Sequence, residues 1–541
     1  MLTSKKKAMK YITKTMAVVS ACALMYSCTD LEEDLIGDIT NDVEVAGVET
    51  GGPGGGSDPI SGAFSQLRSA GTANHGGYFS VQTVSSDEAA IGAKGGDWFD
   101  GGIWLDVHKH TQTSSNGPVA GTWSQQYSAI AACNDALQNT DLNANQVAQL
   151  KVLRAFFYYR LCDLYGRVKI VTAPGQDPAQ STRTEVFNFI ESELLDALGV
   201  ASITSSLDLS NSDLTTENNP YRVNQFAALG LLAKLYLNAE VYTGTARWQE
   251  AADAASYVVD NSGAVLATDA NYSVTNLGKR PAVDSDPDNL TGYAAVFAPN
   301  NEDNPEMIWS VAFDEATGSG MNFGQMSLHY SSQFTWNFQD QPWNGYSALE
   351  DFYNSYEAGD ARKANNFIVG TQLDYSGSQV LDFAAADGNI ELAYTPSINE
   401  LAPNSARNGG ARFGKFSYKQ FGRPEMSNDY PIIRLGDMIL VKGEAEARAA
   451  GDWSLALEEV NEIRGRAGVS AMTALTADDF LAERGREMFM EVTRRQDLIR
   501  FGEFESAWWE KSDSDPNKRL FPIPAEQITA SGGTLTQNPG Y

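Results

Sequence analysis

The sequence predicts a mainly α protein built from antiparallel helix pairs of the tetratricopeptide type. In residues 430–502, apolar side chains recur at spacings of three and four, and Gly451 and Gly468 end successive helical stretches. The same periodicity occurs within residues 119–260. The segment between them, about 262–428, is rich in Asn, Asp, Gly and Ser and has few long periodic runs. We therefore expect repeated helix–turn–helix units that are separated by a loop-rich insertion.

Residues 1–27 have the features of a lipoprotein signal peptide. Lysines precede an apolar run over residues 16–26, which is about half the roughly 20 residues that a membrane-spanning helix needs. The run ends at Ser27 and Cys28 in a sequence typical of a lipobox, so we predict cleavage before Cys28 and lipidation of that cysteine. Residues 28–57 form a predicted tether with an acidic start and the Gly-rich end GVETGGPGGGS.

The helical segments divide into about four repeat units. The first is 119–166, the second combines 183–200 with 222–241, the third starts at 248–260, and the fourth is 432–467. We expect these units to share one domain that runs from the end of the tether to the C-terminal residue.

A third helix in the C-terminal segment carries a row of charged residues. Thr476 is a suitable N-cap, and acids follow it in the first turn. Glu483, Glu487, Glu491 and Arg494 then follow at spacings of three and four, so carboxylates and guanidiniums are expected to pair along one helix face. We interpret this row as a structural ion-pair network.

The composition disfavours several classes of function. A formal net charge of −30 is repelled by nucleic acids, anionic membrane surfaces and strongly anionic polysaccharides. No Gly-x-Ser-x-Gly elbow or phosphate-binding glycine loop occurs, and no motif selects a catalytic pair among the 69 acids. His108 and His110 alternate with Lys109, but no third metal ligand is nearby. We therefore predict a binding protein without enzyme activity, metal or cofactor.

Two polar segments present aromatic side chains. In GGDWFDGG, glycines on both sides permit positive φ and a tight loop that displays Trp98. In QFTWNFQDQPWNGYS, the aromatics lie among amides. Such rings stack on the C–H face of a sugar while Asp, Asn and Gln bind its hydroxyls, although the same rings could serve only to pin loops to the helices. The predicted glycan-binding residues are Asp97, Trp98, Asp100, Trp336, Asn337, Trp343 and Tyr346.

Six blocks of the sequence carry a family resemblance: RAFFYYRLCDLYGRV, YPIIRLGDMILVKGEAEA, NEIRGRAG, ERGREMFMEVTRRQDLIRFG, LFPIPAEQI and the final TQNPGY. In this order they resemble the SusD/RagB family. The sequence departs from the family pattern at Val492-Thr493, where the family usually has Gly-His, and at Lys169, where it usually has Pro. The GGDWFDGG loop is similar to a loop near the glycan site of related SusD-like sequences.

The resemblance implies a SusD-like superhelical scaffold over residues 58–541 and a lipid-anchored protein on the outer face of the outer membrane. The acids in residues 30–34 resemble the export signal of such lipoproteins. Family members present glycans, or in the RagB branch peptides, to a TonB-dependent channel of the SusC type. We therefore expect a neutral oligosaccharide or polysaccharide as ligand, with a β-glucan or fructan favoured, and a SusC-like transporter as partner. Oligopeptide binding and glycoside hydrolysis are the alternatives.

Overall fold

Helices dominate the fold, which confirms the predicted class. The computed structural model describes residues 58–541 except 281–282, 319, 386–387 and 389, and these residues lie within one compact unit. The signal peptide, Cys28 and the tether lie outside the described residues. The helices are α1 (Ser61–Ser69), α2 (Tyr78–Val84), α3 (Ile103–His108), α4 (Gly117–Ala136), α5 (Ala144–Leu164), α6 (Arg183–Leu198), α7 (Gln225–Leu237), α8 (Ala239–Thr243), α9 (Trp248–Asn261), α10 (Gly292–Val296), α11 (Phe323–Ser327), α12 (Ser332–Trp336), α13 (Glu350–Asn354), α14 (Ala361–Asn366), α15 (Leu435–Ala450), α16 (Leu457–Arg466), α17 (Ala477–Met488), α18 (Arg494–Phe501) and α19 (Ala525–Ala530).

The longer helices form a continuous array in which each packs on the next. Helix α4 packs on α5, α5 on α6, and α6 on α7. Helix α9 then packs on both α7 and α15, although the whole insertion separates α9 from α15 in the sequence. The insertion therefore leaves and re-enters the array without interrupting it.

Local sequence signals account for the ends of several helices. Thr182 begins α6 through a capping box with Glu185, and Thr476 does the same for α17 with Asp479, as predicted for Thr476. Gly451 follows α15 with a φ of 70°, a left-handed conformation that glycine adopts without steric cost.

Two details of the predicted C-terminal helices are wrong. The first helix does not include Ile432, because residues 430–434 form a strand and the helix begins at Leu435. The third helix is interrupted between α17 and α18, where Met490 and Val492 have φ values of 64° and 55°. The left-handed backbone at these residues is incompatible with one continuous helix.

The strands are short and pair antiparallel in twos, and most of them belong to the insertion. The pair that matters for the candidate site joins Ala89 to Ala348 and Ile91 to Tyr346. Because this pairing is antiparallel, the loop that follows Ile91 lies beside the loop that precedes Tyr346. The strands are β1 (Ala89–Ile91), β2 (Ser273–Thr275), β3 (Asn289–Thr291), β4 (Met307–Val311), β5 (Tyr346–Ala348), β6 (Phe367–Ile368), β7 (Gly370–Thr371), β8 (Ala393–Tyr394), β9 (Arg412–Phe413) and β10 (Tyr430–Arg434), paired as β1–β5, β2–β3, β4–β10, β6–β9 and β7–β8.

A buried ion network joins the insertion to the C-terminal helices. Fully buried Arg434 lies 3.2 Å from Glu306, 2.8 Å from Glu487 and 2.7 Å from Glu491. Glu487 also contacts Arg362 of α14, at 3.3 Å, and Arg466 at the end of α16. The charged row of the sequence therefore forms ion pairs as predicted, but mostly with other elements and not along its own helix face.

The network holds Glu487 in its charged form. Burial by itself would raise the pKa of Glu487, but the guanidiniums of Arg466, Arg434 and Arg362 hold it well below its usual value. A carboxylate whose pKa is lowered on folding stabilises the protein above its unfolded pKa, and this stabilisation is lost as the pH falls through the folded pKa.

We expect Glu487→Gln to lower the free energy of unfolding by about 3–5 kcal/mol at pH 7, because it leaves buried guanidiniums without their shared carboxylate. Glu458→Gln, which changes an exposed acid on neighbouring α16, is the matched control and should have almost no effect. The measurement is denaturant unfolding at several pH values. The difference between parent and Glu487→Gln should narrow only below about pH 4.5, where the unfolded carboxyl begins to protonate. Equal free energies of unfolding for Glu487→Gln and Glu458→Gln at pH 7 would contradict this account.

Candidate functional site

The loop after β1 displays Trp98 through a strained backbone. Lys94 and Asp97 close the turn, with the Lys94 amide donating to the Asp97 carbonyl at 2.8 Å. Trp98 and Asp100 have φ values of 62° and 44°, a region that non-glycine residues rarely occupy. Gly101 also has a positive φ, of 70°. Such strain persists only where surrounding contacts hold the loop in place.

Trp98 and Trp343 form an aromatic pair at the surface, called the tryptophan pair below. Their ring centroids lie 6.5 Å apart with an interplanar angle of 50°, and the Trp98 Nε1–H donates to the Trp343 carbonyl at 2.7 Å. Trp343 is 37% exposed and Trp98 is partly exposed. The β1–β5 pairing brings the two loops together, because Trp98 follows β1 and Trp343 precedes β5.

Close backbone approach fixes the position of the Trp98 ring. A Cβ placed on Gly345 would lie 2.4 Å from Trp98 Cζ2 and 2.7 Å from its Cε2. Gly345 therefore supplies a flat surface on which the indole rests, and a larger residue at this position would displace the ring.

Tyr346 supports the tryptophan pair from below and does not reach the surface. It is fully buried, its hydroxyl donates to Ser80 Oγ at 2.7 Å, and His75 Nδ1 lies 2.8 Å from the same hydroxyl. The His75 ring is 5.1 Å from that of Trp98. Burial lowers the pKa of His75 to about 4, so the imidazole is neutral at physiological pH. Tyr346 could therefore contact a ligand, as predicted, only if the side chains that cover it moved away.

The two predicted acids stand beside the tryptophan pair. Asp97 and Asp100 are both exposed, and Asp97 accepts a hydrogen bond from the Tyr330 hydroxyl. This contact leaves the second oxygen of Asp97 and both oxygens of Asp100 on the exposed loop, where they could accept hydrogen bonds from sugar hydroxyls.

A polar cleft of about 340 Å³ adjoins the base of the Trp98 loop. Lys94 lies in its wall, and the Lys94 ammonium donates to the carbonyls of Gly92 at 3.1 Å and Gly345 at 3.0 Å. Burial, together with nearby Arg412, lowers the pKa of Lys94 well below its usual value. The polar side chains that line the cleft are Lys94, Asp382, Glu391, Asn404, Ser405, Arg407 and Asn408.

Trp336 lines a different cleft, and the Asn337 side-chain amide lies 3.5 Å from Gln420 of that cleft, so the structure does not bring these two residues to the tryptophan pair. The Trp336 ring packs against Tyr418 at 5.2 Å and lies 6.4 Å from Phe338. Asn337 ends α12 with a φ of 49°. Both aromatic segments of the sequence thus contribute to clefts, but Trp336 lines a separate one of about 410 Å³.

Sequence reasoning missed the residues that position the site. Lys94, His75 and Gly345 have no feature in the sequence that marks them, because their roles depend on contacts between distant segments. The Asn-Gly step before Tyr346 was the available signal for a close backbone approach at Gly345. Its partner, the Trp98 ring, becomes evident only once β1 and β5 are paired.

Two family models match the chain over most of its length. Residues 282–541 match the model described as the SusD family, and residues 82–237 match a model described as starch-binding and associating with the outer membrane. In the described part of the chain, no helix is both long enough and apolar enough to cross a membrane.

Curated relatives agree with these models. The starch-binding protein SusD of Bacteroides thetaiotaomicron is 24% identical over 442 residues, which are 73% of each chain. SusD-like protein P25 of Formosa agariphila is 21% identical over 491 residues, which are 78% of this chain and 80% of the relative.

Solved structures share the fold. A laminarin-binding SusD-like protein has a TM-score of 0.65 at 21% identity, covering 89% of this chain and 98% of its own. Surface glycan-binding protein A of Bacteroides thetaiotaomicron, solved with laminarihexaose, has a TM-score of 0.65 at 20% identity with the same coverage. The sequence blocks, the family models and the helical scaffold therefore identify this chain as a member of the SusD/RagB family.

Proposed function

We propose that the protein is a cell-surface lipoprotein that binds a neutral oligosaccharide or polysaccharide. The observation that carries this proposal is the tryptophan pair, which is partly exposed near the polar cleft and whose Trp98 ring rests on Gly345. Stacking on the rings would supply contact area, and the acids and amides nearby would orient the sugar hydroxyls. Trp98 and Trp343 are the proposed stacking residues, and Asp97 and Asp100 the proposed polar ones.

A β-glucan is the preferred ligand. Two structural neighbours are named for laminarin binding or were solved with laminarihexaose, both β-glucans, while one curated relative is named for starch. The net charge of −30 favours a neutral chain over a uronic-acid polymer. Fructan, starch oligosaccharides and oligopeptides are therefore the comparison ligands.

We expect Trp98→Ala and Trp343→Ala each to weaken binding about 5- to 30-fold, because each removes about 1–2 kcal/mol of stacking. The double variant should show no measurable binding. The measurement is isothermal titration of laminarihexaose, followed by maltohexaose, fructan oligosaccharides and mixed peptides.

The matched control is Trp336→Ala, which removes an indole from the separate cleft and should bind like the parent. Thermal unfolding of every variant establishes that it remains folded. Unchanged affinity in the folded double variant would exclude the tryptophan pair as the site. Titration by peptides but by no glycan would support the RagB-type alternative instead.

A second prediction uses the contact between Gly345 and Trp98. Gly345→Ala should displace the Trp98 ring, because its Cβ would lie 2.4 Å from Trp98 Cζ2. We expect a loss of glycan affinity similar to that of Trp98→Ala, together with a changed tryptophan fluorescence spectrum. Gly96→Ala is the control in the same loop, since a Cβ on Gly96 has no atom within 4 Å. Parent-like affinity in Gly345→Ala would show that the ring position does not matter for binding.

We further propose that Cys28 is lipidated and that the protein delivers its ligand to a SusC-like TonB-dependent transporter. The support is the lipobox-like sequence ending at Cys28, the acidic residues that follow, and membership of the family. The Gly-rich segment 47–57 would let the binding domain move relative to its anchor.

Cys28→Ala should release the protein from outer membranes into the soluble fraction, as followed by fractionation and immunoblotting. The lipidated parent should co-purify with a large β-barrel protein after mild detergent extraction. Membrane retention of Cys28→Ala would reject the lipid anchor, and recovery of the parent without a barrel would reject the partner.

A further inference from the structure

A buried arginine lies at a small cavity between the helical array and β10. Arg160 of α5 is 2% exposed, and its guanidinium lies between two rings, 4.1 Å from the Tyr78 centroid and 4.3 Å from that of Phe156. Because the two rings pack against the guanidinium, its edge of N–H groups is where a polar ligand would bind. The cavity, called the arginine cavity below, is lined by residues that include Arg160, Leu231, Lys234, Tyr430, Ile433 and Glu491.

Most of that edge has no partner among the described residues. Arg160 Nη2 donates to Thr72 Oγ1 at 2.8 Å, whereas the buried Nε and Nη1 have no hydrogen-bond partner among the described residues. Burial lowers the pKa of Arg160 to about 10, which still leaves the side chain cationic at neutral pH. A buried cation whose N–H groups are unpaired carries a large desolvation cost.

The other charged groups of the cavity wall are already paired. Both oxygens of Glu491 are used by Arg434, at 2.7 Å each, and one of them also accepts from Lys415 at 2.6 Å. Lys234 is paired with Asp437 at 2.9 Å. The cavity wall therefore offers Arg160 no free carboxylate. The Arg160 guanidinium is the one charged group of the described cavity wall that has no partner of opposite charge.

The size of the cavity limits what could neutralise Arg160. Its volume is about 40 Å³, enough for roughly two or three water-sized centres. Lys234 and Ile432, which are partly exposed, line it and give a route from solvent. We propose that the arginine cavity binds a small monovalent anion, represented by chloride, on the unpaired edge of Arg160. The anion would be a structural ligand that lies apart from the glycan site.

The first test is crystallographic. Crystals of the full chain soaked in sodium bromide should show an anomalous peak within hydrogen-bond distance of Arg160 Nε or Nη1. Ordered water alone at this position, without anomalous signal at saturating bromide, would overturn the proposal.

The second test is thermal unfolding in sodium chloride against sodium methanesulfonate at equal ionic strength. We expect the parent to unfold about 1–3 °C higher once chloride exceeds its dissociation constant about tenfold. Arg160→Met, which keeps an unbranched side chain between the rings, should lose this chloride dependence.

Arg154→Met is the matched control. Arg154 lies on the same helix, is 6% exposed and stacks on Phe189, but it is paired with Glu193 at 2.6 Å. Its variant should be less stable than the parent yet keep the parent's response to chloride. An equal chloride response in the parent and Arg160→Met would refute the assignment, and if Arg160→Met does not fold, the bromide experiment on the parent decides.

Discussion

The buried ion pairs that Arg434 forms with Glu487 and Glu491 are the constraint on which the rest of the fold depends. Arg434 is the last residue of β10, the strand that leads back into the helical array. Its carboxylate partners come from the segment before β4, from α17 and from the turn after α17. Because the charges are buried, removing any one of these groups would leave an uncompensated charge in the core, which is strongly destabilising. The insertion is therefore fixed to the array by matched charge as well as by apolar packing, and Arg362 of α14 extends the same network into the insertion.

The candidate site depends on this attachment through backbone pairing. β1 belongs to the N-terminal segment and β5 to the insertion, and their register places Trp98 next to Trp343. The Lys94 ammonium reinforces the junction by donating to carbonyls on both segments. These contacts, together with the absence of a side chain at Gly345, hold the Trp98 indole in one position. The backbone of Trp98 therefore keeps its positive φ.

Helical periodicity was sufficient to predict the array, because period and cap signals such as Thr476 are local. It failed at Ile432 and at the break after α17, where pairing with β4 and the left-handed Met490 and Val492 depend on tertiary contacts. For the site, glycine spacing correctly predicted an exposed loop at Trp98. No local signal could separate Trp336 from Trp343, which are close in sequence although Trp336 lines a cleft and Trp343 belongs to the tryptophan pair. Nor could a local signal show that Tyr346 is buried beneath the pair.

The hydrogen bond from the Trp98 indole to the Trp343 carbonyl also affects how a ligand could be recognised. It occupies the polar edge of that ring, so Trp98 offers a ligand only its π face. A π face responds to the flat C–H patch of a pyranose and is indifferent to whether a hydroxyl on the far side is axial or equatorial. Discrimination between sugars that differ only at such a far-side hydroxyl would then fall to the carboxylates and amides of the polar cleft.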